Sequence, residues 1–316
     1  YAVGLRSEKL YYRPKKEREP IDFLSKKKVF FTISLVLIAA GVITIGVNAG
    51  RGKGAFAYSL EFQGGTSTNV TFDKDYSIDE IDKEIVPVVE KVTGDNNVQT
   101  QKVAGTNQVI IKTVTLDLDK REALNKAMAD NFGVDESKIT AENISSTVSN
   151  EMRRDAVIAV VIATICMLLY IWFRFKDIRF ATSAVLALLH DVLVVVGFYA
   201  IARISVGNTF IACMLTIVGY SINATIVIFD RIREEMRGKT KSSDVAAVVN
   251  KSITQTLTRS IYTSLTTFIM VAVLYVMGVS SIKEFALPLM VGVVCGAYSS
   301  VCITGALWYV MKRFKK

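Results

Sequence analysis

Six apolar blocks divide the chain, at roughly 29–47, 155–173, 180–202, 209–229, 260–278 and 285–311. Each is close to the length of helix, about 20 residues, that crosses a bilayer. The blocks are too long and too unbroken for barrel strands, so the pattern predicts a membrane α-helical bundle of six transmembrane helices. The polar stretch 48–150 separates the first block from the other five. It predicts one extracytoplasmic α+β domain between helices 1 and 2. Within it, Phe56–Phe62 and Thr66–Phe72 alternate about Gln63-Gly64-Gly65, which reads as a hairpin. Ile78, Ile81, Ile85, Val88, Val89 and Val92 then recur at helical spacing, with Ser77 and Glu80 placed as a capping box and Gly94 as the stop. Strands are expected near 97–103 and 108–114, a helix near 119–131 ending at Gly133, and a last strand at Ile139–Ile144. From the second strand onward the order is strand-helix-strand-strand-helix-strand, the ferredoxin-like split βαβ pattern.

Composition supports the membrane reading. The chain has 316 residues, 51% of them hydrophobic, and its mean hydropathy is +0.36. The formal net charge of +9 would suit nucleic acid, but the basic residues flank apolar blocks, which fits membrane topology better. Residues 1–28 are polar and basic, as are the loops after the second and fourth blocks and the C-terminus. Loops 203–208 and 279–284 carry only Arg203 and Lys283. This asymmetry puts both termini in the cytoplasm and 48–150 on the far side. The resulting partition is 1–28 cytoplasmic segment, 29–47 helix 1, 48–150 outside domain and 151–316 helices 2–6. The first block is read as an uncleaved anchor, because it exceeds a typical signal-peptide core and Val47-Asn48-Ala49 is a poor cleavage site. A start at Tyr1 is expected for a trimmed chain or for the continuation of a longer polypeptide. Segment 240–251 is expected to form a short interfacial helix, with Val245, Val248 and Val249 on one face and Lys241 and Lys251 on the other.

The fourth block, within 209–235, is the one on which chemistry converges. Its middle holds Gly219, Tyr220, Ser221 and Asn223, and it ends in a charged cuff from Asp230 to Glu235. A spanning helix with polar groups at its centre faces a neighbouring helix or a wet cavity, so this helix is expected in the bundle interior. Asp191 lies near the middle of the third block. A lone carboxylate there costs at least about 2.5 kcal/mol, so it must be protonated, paired or hydrated, and it is a candidate proton carrier. His190 adjoins it, but successive helical residues point about 100° apart, which disfavours a working pair. Asn223 serves either as a polar contact to a partner or as glue between helices. Asp230 is expected in solvated salt bridges beside Arg231 and Arg233. Arg259 opens the fifth block among hydroxyls and either snorkels or points inward to a carboxylate. Gly292, Gly296, Ser300 and Thr304, every four residues, form a close-packing face.

The four cysteines, Cys166, Cys213, Cys295 and Cys302, all lie in apolar blocks, so the polar region has no disulfide framework. No phosphate-cradling loop, metal-ligand cluster or nucleophile triad is visible. No cofactor, metal or enzyme activity is therefore expected. An intramembrane aspartyl protease needs two midplane carboxylates, and only Asp191 qualifies.

Several strings resemble the SecD/SecF protein-export family of the RND superfamily, on the SecF side. They are Glu61–Thr66, Met152–Asp155, Phe173–Lys176 with Arg179-Phe180, Ala187–Asp191, Gly219–Glu234 and Gln255–Thr267. The resemblance implies a half-transporter whose six helices pair with six of SecD about a pseudo-two-fold axis along the membrane normal. It implies an accessory subunit of the Sec translocase that uses the proton or sodium gradient to promote late preprotein translocation. Expected partners are SecD, as a separate chain or fused upstream, the SecYEG channel, YajC, unfolded preprotein and membrane lipids, with no nucleic acid. One position departs from the pattern. Where the family usually reads Gly-Tyr-Ser-Ile-Asn-Asp-Thr, this chain has Ala224, which cannot carry a proton or coordinate an ion. Either the change was introduced, or coupling relies on SecD's own carboxylate with Arg259 as its partner. The alternative role is a structural partner that completes the bundle without coupling ions.

Overall fold

The computed structural model describes residues 19–51, 54–95, 98–103, 105–175, 177–237, 244–278 and 280–313. Helix α1 (Lys27–Gly50) leads into a two-residue strand β1 (Ala57–Tyr58), one helical turn α2 (Leu60–Gln63) and strand β2 (Gly65–Thr71). The next helix is built from α3 (Ile78–Glu80), a π turn at Ile81–Ile85 and α4 (Val86–Thr93). Strands β3 (Gln99–Lys102) and β4 (Gln108–Thr113), helix α5 (Leu118–Phe132) and strand β5 (Ile139–Ile144) complete the polar region. Helices α6 (Ser146–Phe175) and α7 (Ile178–Ala202) are followed by strand β6 (Ser205–Val206), then α8 (Asn208–Met236) and α9 (Val245–Met277). The last span runs through α10 (Ser280–Tyr298), a π segment at Ser299–Thr304 and α11 (Gly305–Arg313). Six of these helical runs are long and apolar enough to cross a membrane.

The sheet order is β3-β4-β2-β5, with every pairing antiparallel. This is the ferredoxin-like arrangement read from the element order. Its helices obey local rules. Ser77 accepts from the Glu80 N–H while the Glu80 carboxylate accepts from the Ser77 N–H, and Asp117 caps α5 by accepting from Lys120 N–H. Both α4 and α5 end at a left-handed glycine, Gly94 at φ 73° and Gly133 at φ 65°. Between helices and sheet lies a core of Val70, Ile81, Ile85, Val89, Ile111, Leu124 and Met128.

Two local expectations are corrected. Phe56–Phe62 and Thr66–Phe72 do not form a hairpin. Instead β1 pairs in parallel with β6, between α7 and α8, while β2 pairs with β4 and β5. Between the two strands lie the helical turn α2 and positive φ at Gly64 (74°) and Gly65 (140°), in place of a two-strand connection. Phe62 is thereby buried against Val195, Tyr199 and Val206 at the end of the helical bundle rather than in the sheet. The proposed interfacial helix is likewise not separate: from Val245 the chain is already α9, capped by Asp244, and runs unbroken to Met277. Residues 240–243 of that segment lie outside the described residues.

In the bundle, α1 packs on α7 through two glycines: a Cβ on Gly41 would sit 2.7 Å from Gly197 Cα. Gly292 of α10 accommodates Ile217 of α8, and a Cβ on Gly296 would lie 3.4 Å from Ser221 Cα. The glycine face read from the four-residue spacing thus sets α10 against α8. Gly219, expected as a helix-packing glycine like Gly292 and Gly296, instead has open space where its Cβ would be, with no described residue within 4 Å. At the other side of the bundle Phe180 stacks on Trp308, centroids 4.9 Å apart, and meets Phe229 edge-on at 4.7 Å.

Candidate functional site

Asp191 is completely buried on α7, where helices α7, α8 and the last span meet. Its Oδ2 accepts from Ser221 Oγ at 2.5 Å and from Ser299 Oγ at 2.7 Å. Its Oδ1 lies 3.0 Å from His190 Nδ1. Three helices thus converge on one carboxylate, and the condition set by the cost of burial is met by pairing. The angular argument against His190 fails because the Nδ1 edge of the ring, close to the backbone, turns toward the neighbouring carboxylate. His190 Nε2 is buried with no hydrogen-bond partner among the described residues.

Ser299 is the member of this set that sequence reasoning missed. It opens the π segment of the last span, where one extra residue per turn widens the helix; such segments recur at functional sites. The only hint in the sequence is a Ser-Ser pair inside an apolar block. Cys295, one turn earlier, brings its sulfur close as well. His190, Asp191 and Cys295 hold their ligand-type atoms within 4.8 Å of one another. The expectation that no metal-capable cluster exists is corrected to that extent. Sequence spacing hides the set because Cys295 arrives from a different helix. The carboxylate is already occupied by two hydroxyls and an imidazole, so the set reads as a hydrogen-bonded knot.

The polar residues of α8 separate onto two faces. Ser221 turns inward to Asp191, while Gly219 and Asn223 are exposed. The helix therefore does not lie wholly in the interior: it has a buried stripe, including Cys213, Ile217, Ile222 and Ile228, and an open one. Asn223 lines a pocket of about 100 Å³ with Tyr220, Ala224, Arg259 and Ser260. Arg259 is exposed, and α9 runs 14 residues N-terminal to it, from Val245. It neither opens a helix nor points inward to a carboxylate. No ion-pair partner for it appears among the described residues. The pocket lies seven residues before Asp230 on α8, about 10 Å of helix, so its polar groups sit within the span.

Asp230 is bonded to Arg174 Nη2 of α6 at 3.0 Å, both side chains being about two-fifths exposed. The solvated salt bridge expected of Asp230 is thus made, with Arg174 as its partner. Arg231 bridges Glu234, Glu235 and Gln255, and Arg233 donates to the Arg174 carbonyl. Asp230 fastens α8 to α6 at the charged end of the bundle.

Fold and site together define a multi-pass helical membrane protein with a small α+β domain between its first two spans. Its polar knot is enclosed, and a second polar patch lies open on one flank. The family "Protein export membrane protein SecD/SecF, C-terminal" matches residues 124–314. The chain is 36% identical over 303 residues to protein translocase subunit SecF of Petrotoga mobilis, covering 94% of this chain and 98% of that one. It is 36% identical over 304 residues to protein translocase subunit SecDF of Bacillus subtilis, of which it covers 38%. The crystal structure of SecDF from Thermus thermophilus, a translocon-associated membrane protein, superposes with a TM-score of 0.79 at 29% identity, over 95% of this chain and 40% of that one. The chain belongs to the SecD/SecF protein-export family.

Proposed function

We propose that the chain is the SecF-type half of a two-bundle accessory motor of the Sec translocase. With SecD as the other half, it would use a proton or sodium gradient to promote late preprotein translocation. The observation that carries this reading is Arg259 with Asn223: an arginine and an amide exposed within the span, on one face of α8 and α9. Lipid would not solvate them, so a partner bundle must cover them. The flanking charges support cytoplasmic termini and an extracytoplasmic 48–150 domain, which would engage the emerging polypeptide near the SecYEG channel.

Ala224 lines the same pocket as Asn223 and Arg259 and offers no carboxylate. Coupling at this seam would therefore rest on an acidic group of SecD facing Arg259. The knot at Asp191 would hold the helices that move against that seam. A second reading is favoured by the same alanine: the chain completes the bundle while SecD alone couples ions.

The test is gradient-driven preprotein translocation in vesicles carrying SecD and this chain. Arg259→Leu should abolish the stimulation. If Arg259→Leu and Asp191→Asn both leave it unchanged, the coupling role is wrong. Ala224→Asp separates the readings, since a gain in stimulation supports coupling at this seam and no effect supports the structural partner.

A further inference from the structure

A cavity of about 570 Å³ opens on the flank formed by α6, α7 and α8. Its wall is apolar, with Val160 and Val161 of α6, Leu188 and Val192 of α7, and Ile211 and Met214 of α8. The hydroxyl of Thr164, which also lines it, is spent on its own helix, donating to the Val160 carbonyl at 2.8 Å. The cavity shares no residue with the Arg259 pocket. Helix α6 on its outer side is the least covered of the spans, with 6% of its spanning window buried. Val157 and Val161 are at least half exposed.

One end of this apolar cleft is polar. Arg153, near the start of α6, lines it at the end of the bundle that carries the sheet domain. Its guanidinium carbon lies 4.9 Å from the centre of the Tyr58 ring. Its Nε is buried and has no hydrogen-bond partner among the described residues. A buried donor on a cation, left without an acceptor, is unfavourable by more than a neutral one. A long apolar slot open to the side of a membrane helix, ending in a guanidinium whose buried Nε has no acceptor among the described residues, complements a lipid that carries an anionic group. We propose that this cleft seats a membrane phospholipid, one acyl chain lying between α6, α7 and α8 and the phosphate on Arg153. The guanidinium fork suits a phosphate oxygen pair, and Tyr58 holds the fork in place. The strand pair Ala57–Tyr58 with Ser205–Val206 then ties the lipid's polar end to the segment leading into the sheet domain.

The test is native mass spectrometry of the full chain released from a mild detergent, compared with Arg153→Gln and Val160→Trp. The wild-type chain should retain one phospholipid, at about tenfold higher occupancy than either variant. Phosphatidylglycerol should raise its thermal midpoint, and glycerol 3-phosphate should not. Equal retention in all three chains overturns the proposal, and so does retention of a neutral diacylglycerol indifferent to Arg153→Gln. Stabilisation by glycerol 3-phosphate alone would make it a free-phosphate site and overturn it too. If co-expressed SecD displaces the lipid, and Val160→Trp blocks that assembly, the cleft is a protein seat and the proposal fails. Should Val160→Trp not fold, Arg153→Gln, at the rim, decides the matter by itself.

Discussion

Ser299 Oγ donates to Asp191 Oδ2 at 2.7 Å, joining the last span to the third across a fully buried contact. The same oxygen accepts from Ser221, and the other faces His190. Substitutions here should rank by how many groups they strand. Ser299→Ala removes one interhelical hydrogen bond, about 0.5–2 kcal/mol in a membrane bundle. Asp191→Leu strands the Ser221 hydroxyl and the His190 imidazole, each at about 1–3 kcal/mol, and leaves Ser299 only its longer bond to the Gly296 carbonyl. Asp191→Asn keeps an acceptor for the serines and gives His190 Nδ1 a donor, so it should stay folded. Thermal unfolding of the full chain in detergent should give the order Leu worst, then Ser299→Ala and Asn. If Asp191→Leu is as stable as wild type, the knot is not what holds the three helices together.

Gly41 and Gly197 bring α1 and α7 into backbone contact, since a methyl on Gly197 would lie 2.8 Å from Gly41 Cα. Neither position can yield by rotating a side chain, because the opposing atom is main chain. Gly197→Ala should therefore cost about 1–3 kcal/mol by overpacking, and Gly197→Leu more. Gly46, also on α1, has open space around it and serves as the control: Gly46→Ala should be neutral or slightly stabilising, since alanine is the better helix former. Thermal midpoints of the three variants decide it.

What the sequence made legible, and what it hid, follows from the range of the interactions involved. Hydrophobic blocks, caps and stop glycines are local, so the six spans, the Ser77–Glu80 box and the ends at Gly94 and Gly133 could be read directly. So could the ferredoxin-like strand order. The Phe56–Phe62 segment could not, because its alternation is satisfied by the bundle end and by a strand pair with Ser205–Val206, some 150 residues away. Asp191 was recognisable by its cost in an apolar block. Its partners were not: Ser299 depends on a π turn, and Cys295 on which face of α10 meets α7. Arg259 opens the apolar block, but the helix that carries it begins earlier, at Val245, which the apolar pattern could not show.

Arg259 and Asn223 are exposed within the chain, so their removal should leave its own fold alone. Arg259→Leu is expected to change the stability of the isolated chain by less than about 0.5 kcal/mol, as surface substitutions do. Co-purification with SecD should drop sharply. The contrast with Asp191→Leu, which should destabilise the chain with or without SecD, separates a seam residue from a core one. Equal destabilisation of the isolated chain by both would remove Arg259 from the seam.

Glu80 gives the sheet domain an acid limit. Its carboxyl is held down to about 2, first by the Ser77 backbone N–H and then by the Lys74 side chain. In an unfolded chain the same group titrates near 4.5. The folded pKa is the lower one, so the capping contribution is fully present above about pH 4.5 and fades as pH falls toward 2. The group is exposed, so the effect is local fraying of α3 and the π turn rather than global unfolding. Hydrogen exchange of the Ile78–Ile85 amides, corrected for intrinsic rate, should show protection lost on acidification through that window. Glu80→Gln should show lower protection at neutral pH and a flat response across it. An unchanged acid response in Glu80→Gln would assign the limb to another carboxylate, of which Asp135, also held low by the Ser137 backbone N–H, is the nearest in kind.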